Sequence, residues 1–458
     1  INTLFLIAIL FYSSNYAQNN KSIDSSYINY FKLTREIPYL HLNKTHFIQG
    51  EELWFQAYVI DLNSKKLHQN TRNLYCAIYN NDGSLKSKKL LLVENGIAKG
   101  NIRIDSTFSN SNYYIRVATN YMKNFNEDYA YFQKISIVKP EKKKVEVSQE
   151  YDVQILPESG HLISYNNNTI GIAVKNNKGN GVEIKEGKIT DSKGEEITSF
   201  ITNQFGFSKV NFYHQNKDYF AHITLNNGDR ISKKIPKVNV KGVSLSVNNP
   251  ETNIVKISIK TNKNTLPVLK NKTYTLLIHN TSNFRVKTLT FNAKDTNYSI
   301  FSKKKNFEEG INIVTLFNDQ NVPIAERIFF NYSPSLFSDV NITVSNKRID
   351  SITLKIAKKT IENTHHISAS ILPKDTKSIL SKNTIISQVL FSPFIKGSIE
   401  NPHYYFKKPT RKTLNDLDLL LLTQGWSKYN WNNIFTNPPS ENFIFEKGID
   451  LIGNLNVK

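Results

Sequence analysis

Three aromatic residues near position 430 have the side-chain chemistry of a binding site. Trp426, Tyr429 and Trp431 place two indoles and one phenol within a short segment. Such rings bury a large apolar area while keeping one polar group, and they therefore dominate binding interfaces. The same rings also pack helices against neighbouring domains. The sequence favours a packing contact within the chain, with contact to a partner protein or a glycan as the alternative.

Carboxylates suited to acid–base catalysis do not stand out in the sequence. Glu51 and Glu52 are adjacent, but a catalytic pair needs carboxylates that converge from separate elements, so we interpret them as a solvated strand start. The sequence contains neither a Gly-x-Ser-x-Gly motif nor a glycine-rich phosphate loop, and these are the signatures of many hydrolases and nucleotide-binding proteins. We predict a protein that is not an enzyme.

Histidine and cysteine are also poorly placed to bind a metal. His365 and His366 are neighbours on a predicted strand and would point to opposite faces. His41 and His46 stand on either side of a turn with no recognised ligand spacing. Cys76 is the only cysteine, which excludes an internal disulfide and a cysteine-based zinc site, and it lies in an apolar strand where a thiol packs as a small hydrophobe. The sequence predicts no metal site and no cofactor.

The positive charge of the chain is spread along its length. The formal net charge is +21, and the densest basic runs are residues 142–144 and 303–305, at predicted strand or domain junctions. A nucleic-acid-binding protein would instead show a basic stripe with interleaved aromatic residues. We therefore assign the lysines to a solvated surface and predict no nucleic-acid partner, with binding to another anionic partner as the alternative.

The N-terminal residues are typical of a secretory signal peptide. An apolar run from Leu4 to Tyr12 is followed by small and polar residues that end at Ala17. This run is too short to span a bilayer, and no later segment is long and apolar enough to do so. We predict a signal peptide over residues 1–17 and export to the periplasm or the outer membrane of a Gram-negative cell, where a protein with one unpaired thiol fits.

Residues 39–61 predict two strands joined at Gly50. Alternate residues from Leu53 to Val59 are apolar and would point to one face of the second strand. Short strands with turn residues between them recur along the chain, which indicates stacked β-sandwiches. The predicted β units are residues 35–139, 146–237 and 241–333, followed by an incomplete fourth unit at 338–373 with strands at Val340–Val344, Ser351–Ile356 and His366–Ile371.

The strand pattern changes to a helical one over residues 374–436. Leu414, Leu417 and Leu421 have helical spacing, and Thr413 could cap that helix. We predict a small helical insert there, followed by new β structure over residues 443–458. The predicted fold class is therefore all-β, with tandem sandwiches and a small helical insert near the C-terminal end.

Two strings in the sequence resemble known families. Phe47, Gln49, Gly50 and Glu51 resemble the opening of a macroglobulin-like domain, in which tyrosine and proline are common at the first two positions. This resemblance implies macroglobulin-like or immunoglobulin-like β-sandwiches. The thioester motif with which alpha-macroglobulins trap proteases covalently is absent, so covalent trapping is excluded.

The second string is longer. Residues 399–406 and 417–431, which include the segment LLLLTQGWSKYNW, are similar to a family of exported Gram-negative proteins. In that family macroglobulin-like domains precede a carboxypeptidase-regulatory-like domain and a TonB-dependent receptor plug, and Ser427 stands where arginine is common. The resemblance implies that residues 443–458 begin the regulatory-like sandwich, and that this chain is the N-terminal part of a longer protein.

Together these patterns predict a non-enzymatic protein of the cell envelope. It would bind proteins or substrates at the outer membrane, and its expected partners are envelope proteins or outer-membrane receptor components. Within the chain, Trp426, Tyr429 and Trp431 are the candidate partner contacts. The alternative function, from the macroglobulin resemblance, is non-covalent inhibition of endopeptidases.

Overall fold

The computed structural model is mostly β, with a few short helices. It describes residues 22–109, 111–138, 150–249, 253–292, 294–336, 340–358, 366–376, 378, 383–397, 399–407 and 410–448. The predicted signal peptide, the 142–144 basic run and His365 lie outside these residues. No helix in the described part of the chain combines the length and the hydropathy that crossing a membrane requires.

The first sandwich follows an N-terminal helix and consists of two facing sheets. One sheet has the strand order β1-β3-β6 and the other β2-β8-β7-β4-β5. The elements are α1 (Ile23–Phe31), β1 (Glu36–Leu42), β2 (His46–Phe47), β3 (Glu52–Asp61), β4 (Asn73–Tyr79), β5 (Leu85–Leu92), β6 (Ile97–Arg103), β7 (Asn112–Ala118) and β8 (Tyr131–Ile137), with a 3-10 helix at Tyr121–Asn124.

The predicted strand pair of this sandwich is confirmed. β1 and β3 pair antiparallel, and Gly50 adopts a positive φ of 95° in the turn before β3. The alternate residues from Leu53 to Val59 are buried between the sheets. Cys76 is also buried, and burial raises the pKa of its thiol to about 12, so the thiol is protonated and unreactive at neutral pH.

The second sandwich has the sheets β14-β11-β9 and β13-β12-β15-β16, with a short parallel pair, β10-β17, beside them. Its core is aliphatic and aromatic, and it is separate from the first core. Its strands are β9 (Tyr151–Pro157), β10 (Leu162–Ile163), β11 (Asn166–Asn176), β12 (Ile184–Asp191), β13 (Glu196–Phe200), β14 (Phe207–His214), β15 (Tyr219–Leu225), β16 (Arg230–Lys234) and β17 (Val238–Asn239).

The third sandwich has the sheets β18-β19-β22 and β21-β20-β23-β24 around its own core. Its elements are β18 (Val243–Asn248), β19 (Ile254–Thr261), α2 (Leu266–Leu269), β20 (Thr273–His279), β21 (Phe284–Thr290), β22 (Asn297–Lys303), β23 (Gly310–Phe317) and β24 (Pro323–Asn331), with 3-10 turns at Lys304–Asn306 and Pro334–Leu336. The prediction of tandem β-sandwiches is therefore confirmed.

A two-stranded hairpin follows where the sequence predicts a fourth β unit. β25 (Val340–Lys347) pairs antiparallel with β26 (Ile352–Lys358). The predicted third strand, His366–Ile371, is wrong, because residues 366–371 form no strand. Side-chain bonds to the first sandwich replace a strand ladder there: Ser368 Oγ lies 2.6 Å from His41 Nδ1, and the Tyr58 hydroxyl donates to Ser368 Oγ at 2.8 Å.

In its described residues the helical insert contains four helices, α3 (Ile385–Leu390), α4 (Tyr404–Lys407), α5 (Arg411–Leu422) and α6 (Trp431–Thr436). The predicted leucine-rich helix is α5, but the predicted cap is wrong. Thr410 is the N-cap, and Thr413 is the third helical residue whose hydroxyl bonds back to the Thr410 backbone. This reciprocal capping box satisfies two backbone donors and starts the helix three residues earlier than the leucine pattern indicates.

The described end of the chain, residues 437–448, returns to the first sandwich. The predicted new β structure is not formed in its described part, because residues 443–448 contain no strand, and residues 449–458 lie outside the described range. The Phe445 ring stacks on Tyr121 at 3.8 Å between centroids. Glu446 accepts a hydrogen bond of 2.6 Å from the Tyr75 hydroxyl. This segment therefore covers one face of the first sandwich.

Candidate functional site: a junction of three sandwiches and an adjacent cleft

The aromatic segment Trp426–Trp431 contacts all three sandwiches. Gly160, in a turn of the second sandwich, faces the Trp426 indole so closely that a Cβ there would lie 3.3 Å from Nε1. The Ser427 backbone N–H donates to Glu326 of the third sandwich at 2.6 Å. The Tyr429 hydroxyl lies 3.4 Å from that of Tyr129 in the first sandwich. We call this segment, with its contacts, the junction.

Glu326 is a buried carboxylate at the centre of the junction. One oxygen accepts the Ser427 N–H, while the other accepts from Thr315 Oγ1 at 2.9 Å and from Trp431 Nε1 at 3.4 Å. Burial raises the pKa of Glu326, and the hydrogen bonds partly oppose that rise. A buried carboxylate with three donors orients them all, so Glu326 ties the aromatic segment to strands β23 and β24.

Arg327, the next residue on β24, bonds directly to the second sandwich and to α5. It is almost fully buried, and its Nε donates to Glu158 of the second sandwich at 3.1 Å while its Nη2 donates to Asp418 of α5 at 2.6 Å. Asp418 also lies 3.2 Å from Lys209 Nζ of β14. Burial alone would raise the pKa of Asp418, but Arg327 and Lys209 outweigh it and hold that pKa below its usual value.

The backbone of the second sandwich approaches α5 without a side chain between them. A Cβ at Gly171 of β11 would lie 3.0 Å from Thr423 Cγ2 and 3.2 Å from Leu422 Cγ, so glycine permits this approach. Nearby, Asn203 Nδ2 donates to Asp416 Oδ1 of α5 at 2.8 Å. The leucine-rich helix therefore packs on both the second and the third sandwich.

A second buried charge links the N-terminal helix to the first sandwich. The Arg35 side chain is buried, and its Nε donates to the Tyr129 hydroxyl at 3.0 Å. Its guanidinium carbon lies 4.6 Å from the centre of the Phe125 ring. The Tyr30 hydroxyl of α1 donates to Glu127 at 2.6 Å. Tyr129 connects these groups to Tyr429, because its hydroxyl lies next to that of Tyr429 and also accepts the Arg35 hydrogen bond. They therefore belong to the contact between the junction and the first sandwich.

An open cleft of about 570 Å³ lies between the first sandwich and the helical insert. A volume of this size suits a small ligand. Its polar lining includes Glu127, Asp128, Asn383, Gln388, Lys396 and Lys428, and its apolar lining includes Ala130, Phe132, Ile395, Ile399 and Pro402.

One polar group in the cleft, Lys428, belongs to the junction segment. Lys428 Nζ donates to the carbonyl oxygens of Ser392, at 2.6 Å, and Asp128, at 3.0 Å. Burial lowers the pKa of Lys428, and the charges of Asp128 and Glu127 oppose this. Gln388 is buried, and its Nε2 has no hydrogen-bond partner among the described residues. The cleft therefore combines a positioned ammonium group, that of Lys428, with the nearby carboxyl groups of Glu127 and Asp128, which is an arrangement for binding a polar ligand.

The predicted partner contacts lie in this region. Tyr429 and Trp431 are only 2% and 3% exposed, because they contact other elements of the same chain, and Trp426 is half-buried. The packing interpretation therefore describes Tyr429 and Trp431, and partner contact stays a prediction for the exposed part of Trp426. Sequence reasoning missed Glu326 and Arg327, whose signal was two adjacent charges within an otherwise apolar strand.

The other sequence candidates occupy ordinary positions. Glu51 accepts a bond of 2.5 Å from Lys44 Nζ and one of 2.8 Å from the Ile48 N–H. Burial would raise the pKa of Glu51, but these bonds lower it below its usual value. His41, on β1 of the first sandwich, forms a hydrogen bond with Ser368 Oγ. Within the described residues, no three histidine, cysteine or acidic side chains are grouped so that they could hold a metal ion.

Comparison with known proteins gives only distant structural similarities. No protein-family model and no curated protein matches the sequence. Among solved structures, the chain is similar to native alpha-2-macroglobulin of Escherichia coli, with 10% identity over 71% of this chain and 25% of that one and a TM-score of 0.20. The elastase-activated form gives 12% identity, 71% and 33% coverage and a TM-score of 0.25.

A third similarity is to dimeric latent PorU from Porphyromonas gingivalis, with 11% identity, 65% and 33% coverage and a TM-score of 0.27. The chain therefore spans a third or less of the length of these three proteins. The assignment of tandem sandwiches rests on the paired sheets of this chain itself.

Proposed function

We propose that this protein is a non-enzymatic binding protein of the Gram-negative cell envelope, and that the helical insert holds its three sandwiches in one arrangement. The main support for the proposal is the junction, where the segment Trp426–Trp431 contacts all three sandwiches and is bonded to the buried Glu326. The open cleft lies directly beside it. A fixed arrangement suits binding, because groups positioned before a ligand arrives lose little freedom when it binds.

The chemistry of the cleft supports binding of a partner or substrate. Lys396 and Lys428 line the cleft with cationic groups, while Glu127 and Asp128 line it with carboxyl groups, next to an apolar wall. By resemblance of residues 399–406 and 417–431, the chain would be the exported N-terminal region of a TonB-dependent-receptor-like protein. Its partners would then be outer-membrane receptor components.

Site-specific photo-crosslinking in Gram-negative cells tests this proposal. A photoreactive amino acid replaces Lys396, an exposed residue that lines the cleft. The matched control replaces Lys193, which is exposed in a turn of the second sandwich. We expect a crosslinked outer-membrane or periplasmic protein from position 396 and none from position 193. Equal products from both positions, or accumulation of the protein in the cytoplasm, would contradict the proposal.

Incubation with endopeptidases distinguishes the proposed binding function from the alternative, which is non-covalent inhibition of endopeptidases. Cleavage at one site followed by retention of the protease would replace the proposal with non-covalent inhibition of the macroglobulin kind. We expect cleavage, where it occurs, without retention of the protease.

A further inference from the structure

The β25–β26 hairpin carries an apolar face that no described residue covers. Six aliphatic side chains lie on this face, and each is 42% to 61% exposed. They are Val340, Ile342 and Val344 on β25 and Ile352, Leu354 and Ile356 on β26. Ile342 pairs with Ile356 and Val344 with Leu354, so the six side chains form one continuous surface.

The opposite face of the hairpin is polar. Thr343 pairs with Lys355 there, and Asn341 and Thr353 share this face because side chains alternate along a strand. In each of the three sandwiches, by contrast, the apolar face of a sheet is covered by a second sheet. A two-stranded hairpin is marginally stable alone, and a continuous exposed apolar patch marks an interaction surface.

The charges of the hairpin limit what can cover it. Lys347 and Arg348 stand at its tip and Lys355 on its polar face, whereas Asp350 is its only acidic residue. Ile349 lies between Arg348 and Asp350 and is fully exposed. An anionic surface would therefore meet an apolar side chain and two cations together at the tip.

A second copy of the chain is a poor match for this surface. The chain has a net charge of +21, so repulsion between like charges opposes the association of two copies. A specific protein partner is also disfavoured, because the face contains no aromatic residue and no arginine. Its residues are aliphatic apart from Lys347 and Lys358, which pair with Ile352 and Val340 at its two ends. Protein interfaces depend mainly on tryptophan, tyrosine and arginine anchors seated in pockets. Fluid acyl chains need no such anchors.

We propose that the β25–β26 hairpin docks on an anionic lipid surface. Its aliphatic face turns toward the acyl chains, and Ile349 enters at the tip. Lys347 and Arg348 meet the lipid phosphates, while Thr343 and Lys355 face water. The hairpin lies flat at the interface, where water and headgroups can satisfy its two outer strand edges. This inference does not depend on the cleft or on the proposed partners.

Vesicle flotation with the full chain tests the proposal. Vesicles of phosphatidylglycerol and phosphatidylcholine in equal amounts are compared with vesicles of phosphatidylcholine alone. We expect binding to the anionic vesicles only, weakening severalfold when salt rises from about 0.1 M to about 0.5 M. The double substitution Ile342→Asp/Leu354→Asp should lower binding at least tenfold.

The matched control is Thr343→Asp/Thr353→Asp, which makes the same change of charge on the polar face. We expect it to lower binding much less than the aliphatic-face variant does. All four positions are exposed, so circular dichroism should show that both variants fold. In an Ile349→Trp variant, the added fluorescence should shift to the blue with anionic vesicles and be quenched by brominated lipids.

Three results would overturn the proposal. Equal binding to both vesicle types, or no binding to either, would exclude an anionic lipid surface. Equal losses in the two double variants would show that net charge, and not the aliphatic face, causes the binding. A dimer that Ile342→Asp/Leu354→Asp dissociates would assign the face to a second copy of the chain.

Discussion

The junction and the β25–β26 hairpin show opposite relations between residue type and environment. At the junction, charged residues such as Glu326 and Arg327 are buried, and each has several hydrogen-bond partners from other elements. In the hairpin, aliphatic residues such as Ile342 and Val344 are exposed, and no described element covers them. Residue type alone therefore does not decide burial. The partners that the rest of the chain supplies decide it.

Among substitutions at the junction and in the hairpin, removal of the Arg327 side chain should lower the unfolding free energy most. Arg327→Ala leaves the carboxylates of Glu158 and Asp418 without their shared partner, and such a loss costs about 3–5 kcal/mol of unfolding free energy. Chemical denaturation followed by tryptophan fluorescence measures it. The control Arg230→Ala removes an exposed arginine of β16 and should change the unfolding free energy by less than about 0.5 kcal/mol. Equal effects would show that the junction charges do not hold the sandwiches together.

The aromatic environment of His279 should make the junction sensitive to acid. Its ring lies 5.8 Å from the Trp431 ring, and neither nitrogen has a partner among the described residues. Burial lowers the pKa of His279 to about 3, below the value of about 6.5 in an unfolded chain. The unfolded state therefore binds more protons between these values, and the unfolding free energy should fall as pH falls from about 6.5 toward about 3.

The variant His279→Phe isolates this effect. Phenylalanine keeps the ring packing and removes two unpaired nitrogens, so we expect a gain of about 1 kcal/mol at pH 7 and a shallower loss of stability in acid. Denaturation at a series of pH values checks both. The same acid slope in the variant and the wild type would assign the loss to other groups, such as His214, whose pKa burial lowers to about 4.

The capping box at the start of α5 should contribute less to the unfolding free energy than Arg327 does. Thr410→Ala removes the side chain that caps the helix and should cost about 1 kcal/mol. Thr436→Ala is the control, because that threonine lies at the exposed end of α6 and its hydroxyl donates to the Asn432 carbonyl oxygen of the same helix. Thermal unfolding should show a lower midpoint for Thr410→Ala than for Thr436→Ala. The reverse order would contradict the assignment of the cap.

Truncation of a hairpin isoleucine should change the unfolding free energy least. Ile342→Ala removes a side chain that is already exposed, so we expect a change below about 0.5 kcal/mol. The matched substitution Ile257→Ala, in the buried core of the third sandwich, should cost about 2–5 kcal/mol. A large cost for Ile342→Ala would show that the free chain already covers the hairpin.

The strand pattern could be predicted because it is local. The apolar alternation from Leu53 to Val59 places four side chains between the sheets, and the structure buries them all. Leucine spacing likewise predicted the helix that forms as α5. The cap was misplaced by three residues, because the leucine pattern starts after the polar turn in which Thr410 and Thr413 bond to each other.

The predicted strand at 366–371 failed for a different reason. Its alternation of residues is compatible with a strand, but no strand in the part of the chain that the structure describes pairs with it. Instead Ser368 bonds to side chains of β1 and β3. Strand formation depends on a partner edge, which the local sequence does not describe.

The sequence by itself determined the stacked sandwiches, the buried thiol of Cys76 and a helical insert near residue 420, because each follows from residue spacing within one element. Only the tertiary structure decided what Trp426–Trp431 and Arg327 do. Arg327 meets Asp418, 91 positions later, and Glu158, 169 positions earlier, and no periodicity encodes such a meeting. The same reason separates the buried junction from the exposed hairpin: burial depends on which distant elements the fold brings alongside.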